Sequence, residues 1–444
     1  MELPAEIGEV LRRLEAAGYP AYLVGGCTRD SLLGRVPKDY DITTAALPAE
    51  TEAVFRGERV IETGLRHGTV TVLLNGTPVE ITTFRVDGAY SDGRHPDAVS
   101  FTPSLREDLA RRDFTVNAVA WRPSEGYVDP FGGEEDIRRG IIRCVGEPER
   151  RFSEDALRVL RALRFAAELD FSVDEPTAAA LLRCREGLKR VSPERISTEL
   201  RKLLCGPAAR RVLLACPEVL GTVIPELLPL VGLDQRNPYH CYDAWEHTAA
   251  AVEAVPPEPV LRLAALLHDV GKPDCFSLDA QGVGHFYGHP ERGAEIADRV
   301  LRRLRFDNAL RERVTLLVAK HDLPISSEKK TVRRLLNRLT PEVFFQLTAL
   351  RRADLLAHAP EKRGQTAELD AMEAAARTLL LENSCFTLGS LALRGDDLRA
   401  AGMAPGPALG AALRRGLEAV MDGVVPNEKA ALLALLREEG RLFP

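Results

Sequence analysis

The chain has 444 residues, 45% of them hydrophobic and 28% charged, so two to four soluble globular domains are expected. A net charge of −6 argues against a globally basic nucleic-acid binder and leaves room only for a local basic groove. No apolar run reaches the roughly 18 residues of a membrane span.

The N-terminus, MELPAEIGEVLRRLEAAG, is acidic and amphipathic and reads as a helix rather than an export signal. Ala21–Val24 is an apolar strand ending in Gly25-Gly26, with a helix expected to start near Thr28. Residues 38–43 alternate like a strand. TVTVLL (69–74) and VEITTF (79–84) flank Asn75-Gly76, a strong hairpin signal. Residues 85–104 are rich in Gly, Pro, Asp and Ser and read as a long loop. From about Phe152 the pattern is helical, which predicts an α+β head on an all-α body. Seven of nine histidines lie between His240 and His358, and this clustering marks a separate metal-capable helical module. The tail from about Arg363 is helical, interrupted by residues 395–398 (GDDL) and 405–407 (PGP). Eight scattered cysteines with no CxxC pair read as reduced, buried thiols of a cytoplasmic protein. The arginine-rich runs at 301–313 and 329–338 are solvated helix faces or phosphate-tracking surfaces.

The first chemistry lies in LVGGCTRDSLLGRVPKDYDIT (23–43). On an alternating strand Asp39 and Asp41 share a face. Two such carboxylates repel unless a divalent cation joins them, and Mg²⁺ takes one or two carboxylates plus phosphate oxygens. In a two-metal arrangement one ion activates an attacking hydroxyl and the other stabilises the leaving pyrophosphate. Gly25 and Gly26 let backbone approach phosphate at a helix start, and Arg29 offers donors to a triphosphate. Glu80, on the neighbouring strand, is a candidate third carboxylate.

DLARRDFTVNA (108–118) places Arg111, Arg112 and Asp113 in succession. One arginine can reach phosphate while Asp113 accepts from a ribose hydroxyl or braces its neighbour; the alternative is a salt-bridged helix start. RFSEDALRVLRALRF (151–165) reads as a helix start with Ser153 as N-cap. Asp155 and Arg158, three apart, share a face. Together they can meet cytosine, the amino group on Asp155 and N3 and O2 on Arg158, and adenine after a small rotation. Guanine and uracil present the wrong donor order. The alternative is an ion pair that only supports the helix, and Arg161 repeats the spacing.

With these residues the sequence resembles the class II tRNA nucleotidyltransferase and poly(A) polymerase family of the polymerase-beta superfamily. LVGGCTRDSLLG and KDYDITT match its catalytic signature. RRDFTVNA, which includes Asn117, is similar to its ribose-contact motif, and EDALR to its nucleotide-selecting motif. Residues 129–169 are similar to its neck throughout. The resemblance implies a small mixed-sheet nucleotidyltransferase head (1–120), a helical neck for nucleotide selection and RNA binding (121–235), a further helical domain (236–362) and a tRNA-binding helical tail (363–444). It implies Mg²⁺ on Asp39 and Asp41, ribose on Asp113, base selection by Asp155 and Arg158, and CTP, ATP and the tRNA 3′ end as partners. AYSDGRHPDAV (89–99) resembles the flexible loop of CCA-adding members. Cys27-Thr28 departs from the usual aliphatic pair without touching the proposed ligands.

LAALLHDVGKP (263–273) is an apolar helix ending in His268-Asp269, with Gly271 as its expected stop. His247 on the preceding helix and Asp354 in RRADLLAH complete a His, His-Asp, Asp set. It resembles the metal-dependent phosphohydrolase superfamily named for its His-Asp (HD) pair, and His289 and His321 match the extra ligands of two-metal members. Such ligation suits Mn²⁺, Fe²⁺, Co²⁺ or Ni²⁺ and can ionise water for attack on a phosphate ester; the alternative is a module that serves as scaffold. The tail segment 393–410 resembles that of related nucleotidyltransferases.

The expected activity is template-independent addition of CCA to tRNA, with a possible second phosphohydrolase site. The rivals are an A-adding enzyme or poly(A) polymerase, an RNA-binding protein with an inert head, and an HD phosphohydrolase whose inactive head docks RNA. No membrane contact and no obligate protein partner are expected.

Overall fold

The structure is a computed structural model that describes residues 1–64, 67–88, 98–382 and 385–442. Residues 89–97, which hold His95 and most of the expected flexible loop, lie outside the described residues. The chain forms two compact units, Met1–Leu228 with Arg303–Phe306, and Pro229–Arg302 with Asp307–Pro444.

In the first unit α1 (Ala5–Ala16) buries Ile7, Val10, Leu11 and Leu14, the spacing of one apolar face. The strands are β1 (Ala21–Val24), β2 (Asp41–Thr44), β3 (Arg59–Gly64), β4 (Thr69–Leu74), β5 (Thr77–Thr83), β6 (Arg85–Asp87), β7 (Val99–Phe101), β8 (Ala120–Arg122) and β9 (Gly126–Val128). Seven of them form one sheet of order β3-β4-β5-β2-β1-β8-β9, and β6 pairs with β7. Within the sheet β2 and β5 run parallel and the other pairs antiparallel, so the sheet is mixed as expected. Asn75 and Gly76 make the β4–β5 turn with φ of 51° and 84°, the left-handed conformations a two-residue hairpin needs. The face of α1 packs with Leu23, Ile42, Val70, Val72 and Ile81 of the sheet in one core.

Two expectations near the acidic motif are corrected. Strand β2 begins at Asp41, and Asp39 precedes it in coil. The cause is register: Val24 pairs with Asp41, and beyond Val24 the chain turns at Gly25, leaving residues 38–40 no partner on β1. The following helix, α2 (Gly26–Leu32), starts at Gly26 rather than near Thr28. Thr28 is buried inside it, its hydroxyl placed to bond the carbonyls of Gly25 and Val119.

Helices α3 (Pro48–Val54), α4 (Leu105–Ala110) and α5 (Gly133–Arg139) complete the head. Helical structure then dominates from Pro148, slightly before Phe152: α6 (Pro148–Glu154), α7 (Leu157–Leu169), α8 (Glu175–Cys184), α9 (Pro193–Cys205), α10 (Ala209–Ala215) and α11 (Pro217–Val223). Between them β10 (Ile141–Ile142) and β11 (Ser172–Val173) make a short parallel pair. Ser153 caps no helix. It lies in the last turn of α6 and donates to Arg150 O at 2.8 Å. The break falls at Asp155, whose extended backbone (φ −140°, ψ 104°) separates α6 from α7.

The second unit opens on α12 (Ala244–Ala254), whose N-cap Asp243 accepts from the Glu246 N–H at 2.7 Å. Next come α13 (Pro259–Leu267), α14 (Lys272–Cys275), the short pair β12 (Ser277–Leu278) and β13 (Gly284–His285), α15 (His289–Arg303), α16 (Asn308–Lys320), α17 (Lys329–Arg338), α18 (Pro341–Leu356) and α19 (Thr366–Leu381). Helices α20 (Gly395–Ala400), α21 (Pro407–Met421) and α22 (Lys429–Glu438) form the tail around a core that includes Leu398, Leu417 and Leu432. The GDDL segment starts α20 rather than interrupting the tail, because the Asp397 carboxylate accepts the Arg394 N–H at 2.8 Å. All eight cysteines are free, but only Cys27, Cys144 and Cys385 are buried, and Cys241 is exposed. No described helix is long and apolar enough to cross a membrane.

Gly76→Val should destabilise the β4–β5 hairpin, since a left-handed non-glycine residue costs about 1–2 kcal/mol. A lower denaturation midpoint with nucleotide incorporation retained is the expected result.

Candidate functional site

The acidic edge of the head is built from three elements. Asp41 opens β2, Asp39 lies in the coil just before it, and Glu80 stands beside Asp41 because Ile42 and Ile81 are in register on parallel β2 and β5. Gly25, with φ 79°, closes the site from β1. A Cβ there would meet Arg112 Nη1 at 3.3 Å and Asp41 Oδ2 at 3.5 Å, a close but tolerable approach, so it is the left-handed backbone that favours glycine here. Desolvation raises the Asp41 carboxyl, Arg112 lowers it, Asp39 raises it further, and the net shift is upward. Asp41 is exposed as a residue, which tempers that shift. Two neighbouring carboxylates at an open edge beside a guanidinium fit a divalent cation with phosphate oxygens.

Behind this edge runs a polar network. Arg29 is not a free fork: its Nε and Nη2 donate to Asp30 Oδ1 at 3.0 and 2.8 Å, and its Nη1 donates to Asn117 Oδ1 at 2.7 Å. Asn117 Nδ2 in turn donates to Asp113 Oδ1 at 3.0 Å. Asp113 Oδ2 receives both Nε and Nη2 of Arg161, at 3.0 and 2.7 Å. Burial alone would raise the Asp113 carboxyl, but Arg161 and Asn117 hold it well below the usual carboxylate range. Asp113 therefore braces its neighbours, and Arg161, expected to meet nucleotide, is bound to it. Arg111 and Arg112 follow the end of α4 rather than a helix start. Both turn to Asp108, with Arg111 Nη2 at 2.9 Å and Arg112 Nη2 at 3.6 Å. Asp108 is fully buried and ties this pair to β2, because Thr43 Oγ1 donates to its Oδ2 at 3.2 Å.

Asp155 and Arg158 have different partners. Asp155 Oδ2 receives Arg195 Nη2 at 2.7 Å, and its Oδ1 receives Arg195 Nη1 at 3.3 Å and the Leu157 N–H at 3.1 Å. Arg158 Nη1 donates to Glu154 Oε2 at 2.8 Å and Arg151 O at 3.1 Å, and its Nη2 to Arg111 O at 3.2 Å. Sequence reasoning missed Asp108, Arg195 and Glu199. Asp108 was legible, standing three and four residues before the arginines it pairs. Arg195 and Glu199 are on α9, which packs against α7, and no local spacing announces them.

The second unit brings together all six expected His and Asp residues. His247 Nε2 lies 3.0 Å from Asp354 Oδ1 and 3.4 Å from His268 Nε2, and His268 Nε2 lies 3.2 Å from Asp269 Oδ2. On the other side of Asp269, its Oδ1 lies 3.4 Å from His289 Nε2, which is 3.1 Å from His321 Nε2. The six thus fall into two neighbouring ligand groups, His247, His268 and Asp354, and Asp269, His289 and His321. In all four rings Nδ1 faces a backbone carbonyl: Ala357 O at 3.2 Å, Ala265 O at 2.8 Å, Phe286 O at 2.8 Å and Val318 O at 2.7 Å, in the order His247, His268, His289, His321. A carbonyl only accepts, so each Nδ1 carries a proton, and each ring directs its Nε2 inward. Burial works against a charge on His268, but the adjacent Asp269 carboxylate outweighs it and raises that ring. Burial lowers His247 and pushes His321 down to about 3, which favours neutral rings there. Lys272, unforeseen, lies with Nζ 2.7 Å from Asp269 Oδ2 and donates to Gln235 Oε1 at 2.7 Å. A cavity of about 360 Å³ opens over the cluster, lined also by His240, Tyr287, Arg351 and His358. Gly271 is required by space and not by φ: a Cβ would come within 2.5 Å of His289 O.

These features coincide with known proteins. Residues 21–143 match the family model described as "Poly A polymerase head domain", residues 170–227 that described as "Probable RNA and SrmB- binding site of polymerase A", and residues 292–436 that for tRNA nucleotidyltransferase domain 2. The head is thus that of a nucleotidyltransferase. A CCA-adding enzyme of Limosilactobacillus fermentum is 34% identical over 97% of this chain and 96% of its own. One from Geobacillus stearothermophilus is 44% identical over 59% of this chain and 62% of its own. The crystal structure of the Bacillus stearothermophilus CCA-adding enzyme in complex with CTP is similar with a TM-score of 0.73 and 33% identity, covering 99% of this chain and 98% of that one. The chain belongs to the CCA-adding enzyme family.

Arg161→Met should destabilise the first unit by roughly 3 kcal/mol at pH 7, because it strands a buried carboxylate. Asp113 is depressed in the folded state, so its stabilisation is present above the unfolded value of 3.8 and is lost as pH falls through the folded value. Denaturation midpoints at pH 7 and pH 3 should therefore show the variant's deficit shrinking in acid.

Proposed function

We propose that this chain adds C, C and A in turn to the 3′ end of tRNA from CTP and ATP, without a nucleic-acid template. Membership of the CCA-adding family supports the activity. The observation that carries the chemistry is the convergence of Asp41, Gly25 and Arg112 at the end of β1 and the start of β2. Asp39 and Asp41 would hold Mg²⁺, with Glu80 beside them. Mg²⁺ held by these residues would supply activation of the terminal 3′ hydroxyl and stabilisation of the leaving pyrophosphate. The Gly25 turn lets the triphosphate approach backbone, and Arg112 supplies positive charge next to it. Arg111 and Arg29 are held in place by Asp108 and Asn117. Asp113, braced by Arg161, positions the ribose. Asp155 and Arg158 read the base edge. The reaction is placed in the cytoplasm, where an exposed thiol such as Cys241 stays reduced. The proposed division is a head to residue 120, a neck to 235, a His-Asp domain to 362 and a tRNA-binding tail.

A second reading is favoured by the convergence of four Nε2 atoms. Rings whose Nε2 atoms converge beside two carboxylates gain from a cation between them. His247, His268 and Asp354 would hold one transition metal, and Asp269, His289 and His321 a second. Such a centre would supply ionised water for attack on a phosphate ester. Arg351, whose Nη1 donates to Asp354 Oδ2 at 2.7 Å, and Lys272 lend the cavity positive charge for that substrate.

The experiment is incorporation of each NTP into tRNA ending at the discriminator base, at C or at CC. Two C and then one A, with UTP and GTP refused, is the expected outcome. Asp41→Ala should abolish it while tRNA binding survives; CMP incorporation by that variant would remove the metal assignment. A His268→Ala, Asp269→Ala double variant should lose bound transition metal by elemental analysis and keep CCA addition. Unchanged metal content would refute the second centre.

A further inference from the structure

Base reading by two side chains demands more than the presence of Asp155 and Arg158. A carboxylate and a guanidinium three residues apart are complementary to each other before any base arrives. Allowed to close on each other, they would occupy the donors and acceptors that must face cytosine or adenine. The structure holds them by different partners. Arg195 takes Asp155 through two nitrogens, at 2.7 and 3.3 Å. Glu154 and two backbone carbonyls take Arg158. The break between α6 and α7 at Asp155 supports the same arrangement, because the extended backbone there takes Asp155 off the helix face it would share with Arg158.

The position of Arg195 is informative in itself. It stands third in α9, after Pro193 and Glu194, where the helix dipole disfavours a cation. Its location therefore answers to Asp155 and not to the helix it belongs to. Its side chain is only 24% exposed and that of Asp155 only 15%, so the pair is shielded from solvent. Two nitrogens on one carboxylate fix its plane as well as its charge. An ionised, oriented carboxylate only accepts hydrogen bonds. It therefore welcomes the exocyclic amino groups of cytosine and adenine and repels the carbonyl oxygens that uracil and guanine place there. A carboxylate free to rotate toward Arg158 does neither.

We propose that Arg195 is a positioning residue for base selection: it holds the Asp155 carboxylate apart from Arg158 as an oriented acceptor, and so sets the preference for C and A over U and G. The proposal rests on the reading that Asp155 and Arg158 select the base. Arg195 touches neither the nucleotide phosphates nor the reacting hydroxyl in this account, so its loss should alter choice more than chemistry.

The test uses the full-length chain with Mg²⁺, tRNA ending at the discriminator base or at CC, and kcat and KM for all four NTPs. Arg195→Gln should lower the CTP-to-UTP ratio of kcat/KM at least tenfold. It should do so mainly by raising KM for CTP and admitting UTP, with kcat for CTP reduced less. Arg195→Lys keeps the charge and loses the fork, and should recover part of the ratio. Should the glutamine variant fail to fold, the lysine variant decides, with a ratio reduced at least threefold from wild type as the expected value. An unchanged ratio, or an equal fall for every NTP, overturns the proposal. Asp155→Ala is measured alongside. If it alters the ratio and the Arg195 variants do not, the positioning role alone is lost. If it too leaves the ratio unchanged, the base-selection reading fails and takes the proposal with it.

Discussion

The first unit depends on a buried chain of charge-assisted hydrogen bonds centred on Asp113. It runs from Arg29 on α2 through Asn117 and Asp113 to Arg161 on α7, and on to Glu199 of α9, which lies 3.6 Å from Arg161 and 2.6 Å from Arg164. Ion pairs of this kind cost desolvation energy that apolar packing would not, so they are a poor source of stability. Their value here is geometric. One end begins at the Gly25 turn, where Asp41 and Arg112 meet. Further along it holds α7, the helix that carries Arg158, against α9. The network fixes how far Arg158 stands from the acidic edge at Asp41, and under the proposed function template-free synthesis needs that distance to be constant for two nucleotides of different size.

Much of this was legible in the sequence because it is local. Asn75-Gly76 demands left-handed backbone, and the hairpin follows. The apolar face of α1 and the alternation in TVTVLL place the core. His268-Asp269 at the end of an apolar helix, with His247 and Asp354 on flanking helices, converges as expected. The parts that were not legible are decided by tertiary register. Residues 38–43 alternate like a strand, but β1 is only four residues long and cannot pair with them all. Asp155 and Arg158 have helical spacing, but Arg195 and the Leu157 N–H draw Asp155 out of the helix. Neither constraint has a signature within a few residues of the position it governs.

The two units reach rigidity at their sites by different routes. In the first, long side chains are pinned by other charged side chains. In the second, short rings are pinned by backbone: each histidine at the end or start of a helix meets a carbonyl with its Nδ1, as His268 does with Ala265 and His321 with Val318, three residues earlier. Helix ends leave carbonyls unpaired, so this solution satisfies the backbone and orients a donor at once. It also explains why a set drawn from residues 247 to 354 assembles with so little dedicated sequence around it.

The central claim is that the base is read by protein side chains, with Asp155 accepting from the exocyclic amino group. The most direct measurement offers wild-type protein the triphosphate of a cytidine analogue whose 4-amino group is replaced by hydrogen, on tRNA ending at the discriminator base. Replacing that amino group removes one hydrogen bond to a charged acceptor, worth about 1.5–3 kcal/mol, so kcat/KM should fall at least tenfold relative to CTP. Incorporation of the analogue as efficiently as CTP would contradict the account.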